Sequence, residues 1–144
     1  YGDTLYMADE YFEGKGAEFI RSSITEIHGT TQDDLYKSER RATGNLESFT
    51  YNIPVSNGDY SVNLHFAETY FGAINGGQGG TGRRVFNVII EGVNVLMEYD
   101  INAVVDPMTA VIETFSTKVT DGSLDILFSA SYNQPKVSAL AMDN

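Results

Sequence analysis

The chain predicts an all-β fold, an antiparallel β-sandwich or jelly roll, from three observations: alternating apolar residues in its middle, turn dipeptides at short spacing, and no sustained helical period. The clearest alternation is Phe49, Tyr51, Ile53 and Val55, with Thr50, Asn52 and Pro54 between them. A period of two sends successive side chains to opposite faces, so this run is a half-buried strand. Asn57-Gly58 tolerates the positive φ of a tight turn, and Tyr60, Val62, Leu64 and Phe66 then alternate with Ser61, Asn63, His65 and Ala67. The two runs make a hairpin. The same pattern predicts strands over 84–91 and 93–99 around Glu91-Gly92, over 110–120, over Leu124, Ile126 and Phe128 after Asp121-Gly122, and over 137–142.

Residues 1–44 carry aromatics, glycines and polar residues without alternation and are expected mostly in loops. A short helical turn is expected near 31–36, where Thr30 or Thr31 would cap and Asp33-Asp34 would suit the first turn. Residues 72–82 form one glycine-rich stretch between two strands, too short to separate domains, so 1–144 is expected to be a single domain.

Twenty acidic residues against nine basic ones give a net charge of −11, which repels phosphate backbones and anionic lipid surfaces. Neither nucleic acid nor membrane is an expected partner. No apolar run reaches the length of a membrane span, and Asp3, Asp9 and Glu10 interrupt the N-terminal residues, which therefore read as neither signal nor transit peptide. Without cysteine there is no disulfide, thiolate metal site or cysteine nucleophile. There is also no Asn-x-Ser/Thr acceptor.

Motifs for catalysis fail on context. Gly77, Gly79 and Gly82 spell GxGxxG, but a dinucleotide site needs a helix to follow, and here Arg83-Arg84-Val85-Phe86 opens a strand. The stretch reads as a hairpin loop whose glycines let it close over a ligand. His65 and Glu68, three apart on a strand and its exit, do not share a face, and His28 has no partner at ligand spacing. No carboxylate pair stands out for glycoside hydrolysis, and Ser22, Ser23 and Ser129 lack a nucleophile elbow. The expectation is a protein that is not an enzyme and requires no cofactor. Carboxylates and loop carbonyls leave room for a structural calcium ion, although no loop has EF-hand spacing.

Four aromatic residues stand beside turns rather than inside alternating runs: Tyr36, Tyr70, Phe71 and Tyr132. An aromatic face suits the C–H face of a pyranose, while hydroxyls, amides and carboxylates serve the sugar's hydroxyls. The same rings would equally serve to cover the ends of a core, and composition alone does not separate the two readings.

Leu35-Tyr36-Lys37-Ser38-Glu39-Arg40, Phe66-Ala67-Glu68-Thr69-Tyr70-Phe71, Arg84-Val85-Phe86-Asn87-Val88 and Pro135-Lys136-Val137-Ser138-Ala139-Leu140 occur in an order and spacing that resemble the malectin and malectin-like family. The resemblance extends over nearly the whole chain, from Ala8-Asp9-Glu10-Tyr11-Phe12 onward. It implies a jelly-roll, galactose-binding-like sandwich that binds carbohydrate through loops at one end and has no catalytic activity. The family's aromatic ligand contacts map onto Tyr70 and Phe71. Its acidic contact falls on Asn133 and its aromatic after Glu-Arg on Arg41, both able to hydrogen-bond hydroxyls. Glu39 and Arg40 are either contacts or a buried pair orienting the loop, and Glu68 sits at the turn itself. The family's opening glycine-rich strand, expected just before Tyr1, points to a trimmed or rearranged N-terminus.

The resemblance thus predicts a binding module for glucose-containing oligo- or polysaccharide, extracellular or at the cell surface, monomeric, and part of a larger secreted bacterial enzyme or surface protein. A protein- or peptide-binding ectodomain of an adhesin or receptor is the alternative, since tyrosine-rich loops suit peptides as well.

Overall fold

The computed structural model describes residues 12–14, 16–20, 27–30, 36, 38–42, 44, 46–73, 77, 79 and 81–143, with the backbone alone for 12–14, 16–20 and Ser38. The chain forms strands β1 (Phe12–Gly14), β2 (Gly16–Ile20), β3 (Ser38–Ala42), β4 (Phe49–Pro54), β5 (Gly58–Phe66), β6 (Val85–Ile90) and β7 (Val93–Tyr99). A four-residue helix α1 (Ile101–Val104) follows, then β8 (Val111–Val119), β9 (Ser123–Tyr132), β10 (Lys136–Val137) and β11 (Ala139–Asp143). Every pairing between these strands is antiparallel, as the alternation and turn dipeptides predict.

One layer is a sheet in the order β1-β4-β9-β6-β7. The other comprises β10-β3-β2 and β11-β5-β8, joined because 136–143 pairs with β3 through its first two residues and with β5 through its last five. The alternating residues face the space between the layers. Phe49, Tyr51 and Ile53 of β4, Phe86, Val88 and Ile90 of β6, and Leu124, Ile126 and Phe128 of β9 are buried there with Tyr60, Val62, Leu64 and Phe66 of β5. Phe49 and Phe128 are register partners, with rings stacked 4.8 Å apart at 15°.

Strand direction sorts the connections into two ends. The tight turns at 55–57, 91–92 and 120–122 lie at one, with Asn57 holding the other turn through Thr120 O (3.1 Å) and Gly122 N (2.8 Å). The exits of β5, β7 and β9 and the entries of β6, β8 and β10 lie at the other. Under that second end Phe66, Phe86 and Tyr99 pack at centroid distances of 5.3–5.6 Å, a firm floor for its loops.

Among the described residues of 1–44, where mostly loop was expected, β1, β2 and β3 are strands that pair into the two layers. β3 escapes a search for alternation because its buried residues include Glu39 and Arg40, the Glu39 charge being compensated in the interior by Lys136. The helical turn expected near 31–36 lies outside the described residues apart from Tyr36. The short helix α1 is an addition; Asp100 caps it, accepting from Asn102 N at 3.1 Å.

Phe128→Ala removes one of two stacked rings from a fully buried site and should cost about 3–5 kcal/mol in urea unfolding. A cost below about 1 kcal/mol would mean that the stack is not a core element.

Candidate functional site

At the loop end, β5 delivers Ala67, Glu68 and Thr69 into the interior before the chain emerges at Tyr70. Glu68 is 1% exposed, yet its carboxylate is fully engaged. Oε2 accepts from Tyr70 N (3.1 Å) and Phe71 N (3.3 Å), while Oε1 accepts from Arg84 Nε at 2.7 Å. The first pair closes an Asx-like turn and fixes where the two aromatic residues point. Arg84, entering from the start of β6, also donates from Nη1 to Gln134 O at 2.8 Å and lies 5.1 Å from the centre of the Phe71 ring, a cation–π contact.

A second buried pair lies beside the first. Lys136 of β10, fully buried, contacts Glu39 Oε1 at 2.7 Å, and Thr69 Oγ1 bridges the two by donating to Glu39 Oε1 (3.2 Å) and accepting from Lys136 Nζ (3.4 Å). Burial alone would push the Glu39 carboxyl up; Lys136, with Arg84 and Arg41 farther off, outweighs it and holds the group below the usual carboxylate range. Glu68 behaves likewise: burial is opposed by Lys136, by Arg84 and by the Tyr70 N–H, and the net direction is down. Glu39 Oε2 and Arg84 Nη2 are buried without a hydrogen-bond partner; Arg41 Nε approaches the former at 4.0 Å.

Tyr70 is 39% exposed and Phe71 half-buried, their rings edge to face at 4.9 Å and 81°. The glycine-rich loop folds back against them: Gly77 N donates to Tyr70 O (2.9 Å) and Gly72 N to Gly77 O (3.1 Å). A Cβ at Gly77 would lie 2.4 Å from Tyr70 Cε2, so only glycine lets the ring lie there. The GxGxxG reading fails as expected, since β6 rather than a helix follows.

The structure gathers Tyr70, Phe71, Glu68, Glu39 and Arg41 at one locus. Asn133 and Tyr132 border it: Asn133 Nδ2 donates to Arg83 O, its backbone takes a left-handed φ of 57°, and Tyr132 is 60% exposed opposite Val85. Arg40 is buried opposite Val137 and Glu18 in register, on the interior side rather than the rim. Tyr36 does not join the rings at the surface. It is 1% exposed, packs with Ile27 and Ala67, and shares a 2.9 Å hydrogen bond with His65 Nδ1, so its face cannot meet a ligand without unpacking. Burial lowers the His65 pKa, leaving the ring neutral. Arg84, Thr69 and Lys136 belong to the site although their residue types alone did not mark them; the signal was a cation or hydroxyl inside otherwise apolar strand entries.

At the opposite end Glu91, Asp121 and Asp125 bring carboxylate oxygens within 4.8 Å of one another, an arrangement that could hold a cation. Burial and repulsion from Asp125 and Asp121 raise the Glu91 pKa. No described helix is long and apolar enough to cross a membrane.

The pattern of buried motif residues invites comparison with known proteins. A family model described as the malectin domain matches residues 2–140. The chain belongs to the malectin family. Among curated relatives of this malectin domain, a probable leucine-rich-repeat receptor-like serine/threonine-protein kinase of Arabidopsis thaliana is 38% identical over 108 residues, covering 74% of this chain and 11% of the kinase. Mouse malectin is 32% identical over 130 residues, covering 79% of this chain and 41% of malectin. The chain therefore spans well under half the length of these relatives. Among solved structures, the extracellular domain of Arabidopsis ANXUR1 superposes with a TM-score of 0.75 at 16% identity, covering 95% of this chain and 39% of that one. A chain in the crystal structure of the plant peptide RALF23 in complex with FER and LLG2 matches at TM-score 0.68 and 16% identity, covering 95% of this chain and 40% of that one. At such identities the structures establish the fold, a malectin-like sandwich. These curated relatives are plant and animal proteins, so the expected bacterial source finds no support in them.

Lys136→Ala would strand the Glu39 carboxylate in the interior and should cost about 3–5 kcal/mol in chemical unfolding, against less than about 0.5 kcal/mol for exposed Lys118→Ala. Because Glu39 and Glu68 have folded-state pKa values below the ordinary 4.5, their contribution is present above that value and lost as pH falls through the lower folded values. Melting temperature should drop on acidification below about pH 4.5, and Glu68→Gln should flatten that drop. An unchanged slope in the variant would contradict the assignment.

Proposed function

We propose that this malectin domain is a non-catalytic carbohydrate-binding module, extracellular or at the cell surface, that takes glucose-containing oligosaccharide at the Tyr70–Phe71 turn. The observation that carries the reading is the construction of that turn. An exposed Tyr ring stands beside a half-buried Phe, and both main-chain N–H groups are pinned by one buried carboxylate. A rigid aromatic loses little entropy on binding and presents an apolar face to a pyranose. Arg41, Tyr132 and Asn133 around it offer donors and acceptors to the hydroxyls. Glu68 acts through the turn, not on the ligand, because its oxygens are taken by Arg84 and the two amides, and Glu39 is buried against Lys136. The reading requires no cofactor.

A second reading has one specific support, the peptide complex of a malectin-fold receptor. In it the same exposed aromatics would anchor a peptide.

A glycan array followed by calorimetry should give saturable binding of glucose-containing oligosaccharides, and Tyr70→Ala should abolish it while leaving the melting temperature within a degree or so, as for a surface change. Retained affinity in that variant would remove Tyr70 from the site. Capture of a peptide that sugars fail to compete would favour the second reading, and turnover of chromogenic glycosides would refute the non-catalytic assignment.

A further inference from the structure

We infer that the connection between β7 and β8 forms a further subsite, which receives the neutral hexose next beyond a disaccharide held at Tyr70. This inference rests on the carbohydrate-binding reading and extends it. Residues 102–106 and Thr109 line a hollow of about 370 Å³. That is within the range of small-ligand clefts, roughly 300–1,000 Å³.

Two contacts join the hollow to the aromatic turn. Asn102, on its wall, donates from Nδ2 to Phe71 O at 3.1 Å, and Pro107 lies so close to Gly72 that a Cβ there would approach its Cγ to 2.8 Å. A disaccharide stacked on the turn and extended by one unit toward α1 therefore meets this wall.

The connection is also held in place before any ligand arrives. Asp100 caps α1, Val105 N donates to Ile101 O (2.9 Å), and Met108 N donates to Glu68 O (2.9 Å), so the residue that fixes the aromatic turn also fixes this one. His28 brackets the far side, donating to Met108 O and accepting from Ala110 N, both at 2.8 Å. Met108 sits at φ 63°, a left-handed conformation that an unbranched residue adopts only when its surroundings impose it.

The lining has the chemistry of a sugar subsite. Val104, 52% exposed, supplies an apolar contact, Asp106 an exposed carboxylate acceptor, and Thr109 a hydroxyl that donates or accepts. Asn102 Oδ1 is buried with no hydrogen-bond partner among the described residues, at the boundary between hollow and turn. Among the described residues no basic side chain lines the hollow, and Asp106 repels anions, so the hexose it takes is neutral rather than a uronic acid.

The experiment is calorimetry with glucose disaccharides and the matching tetrasaccharides in the α-1,3, α-1,4, β-1,3 and β-1,4 series, on the unmodified chain, on Tyr70→Ala and on the double variant Asp106→Ala/Thr109→Val. The subsite requires the tetrasaccharide of at least one series to bind more tightly than its disaccharide. The double variant should weaken that tetrasaccharide by roughly tenfold, the scale of one or two hydrogen bonds, and leave disaccharide affinity unchanged. Equal affinity for both lengths, or a loss shared by both in the double variant, would overturn the subsite while leaving the aromatic platform standing. Undiminished binding in Tyr70→Ala, or no binding of any of these sugars by the unmodified chain, would instead overturn the platform and the subsite with it.

Discussion

The Glu68 carboxylate is the constraint on which the loop end depends. One oxygen holds the Arg84 guanidinium and the other holds two consecutive main-chain amides, so a side chain with no access to water positions β6's entry and the Tyr70–Phe71 turn together. Its own carbonyl receives Met108 N, which brings the β7–β8 connection into the same arrangement. The two ends of the β5–β6 connection and the β7–β8 connection are thereby held to one carboxylate-bearing residue.

A charged interior of this kind contributes little net stability over apolar packing, since desolvation offsets most of the attraction between partners. Its effect is on geometry. An apolar residue at 68 would fill the space but leave the Tyr70 and Phe71 amides to find other acceptors, and the turn would lose its anchor. The second pair, Glu39 with Lys136, applies the same logic to strand order, tying β3 to β10 by charge as well as by main-chain pairing. Thr69, the neighbour of Glu68 in the chain, bonds through its hydroxyl to both members of this second pair, so strand pairing and loop placement are coupled.

The sandwich separates these duties in space. The end with tight Asn- and Gly-containing turns closes the hairpins and sets register, with Asn57 bonded to the β8–β9 turn. The other end rests on the Phe66–Phe86–Tyr99 floor, and there the connections are longer and carry the aromatic and polar groups. Loops that recognise ligands commonly stand on a rigid scaffold in this manner. The buried charged residues Glu39, Glu68, Arg84 and Lys136 lie at the loop end, in keeping with this division.

Much of the fold was legible in the chain alone. Alternation in β4, β5, β6 and β9 and the dipeptides Asn57-Gly58, Glu91-Gly92 and Asp121-Gly122 are local signals, readable because a half-buried strand needs one apolar face and a tight turn needs residues that tolerate positive φ. The exposed Tyr70 beside Phe71 was legible too, as aromatic residues leaving a strand for a glycine-rich loop. The structure alone decided which of the candidates face outward. Tyr36 looks like Tyr70 in sequence, yet one packs against His65 inside and the other meets solvent, since burial depends on what lies across the fold. β3 was hidden for a related reason: Glu39 and Arg40 interrupt any apolar alternation, and the Glu39 carboxylate meets its partner only in Lys136, almost a hundred positions later. Local pattern determines strands and turns because their causes are local, whereas the pairing of buried charges is settled only when distant strands meet.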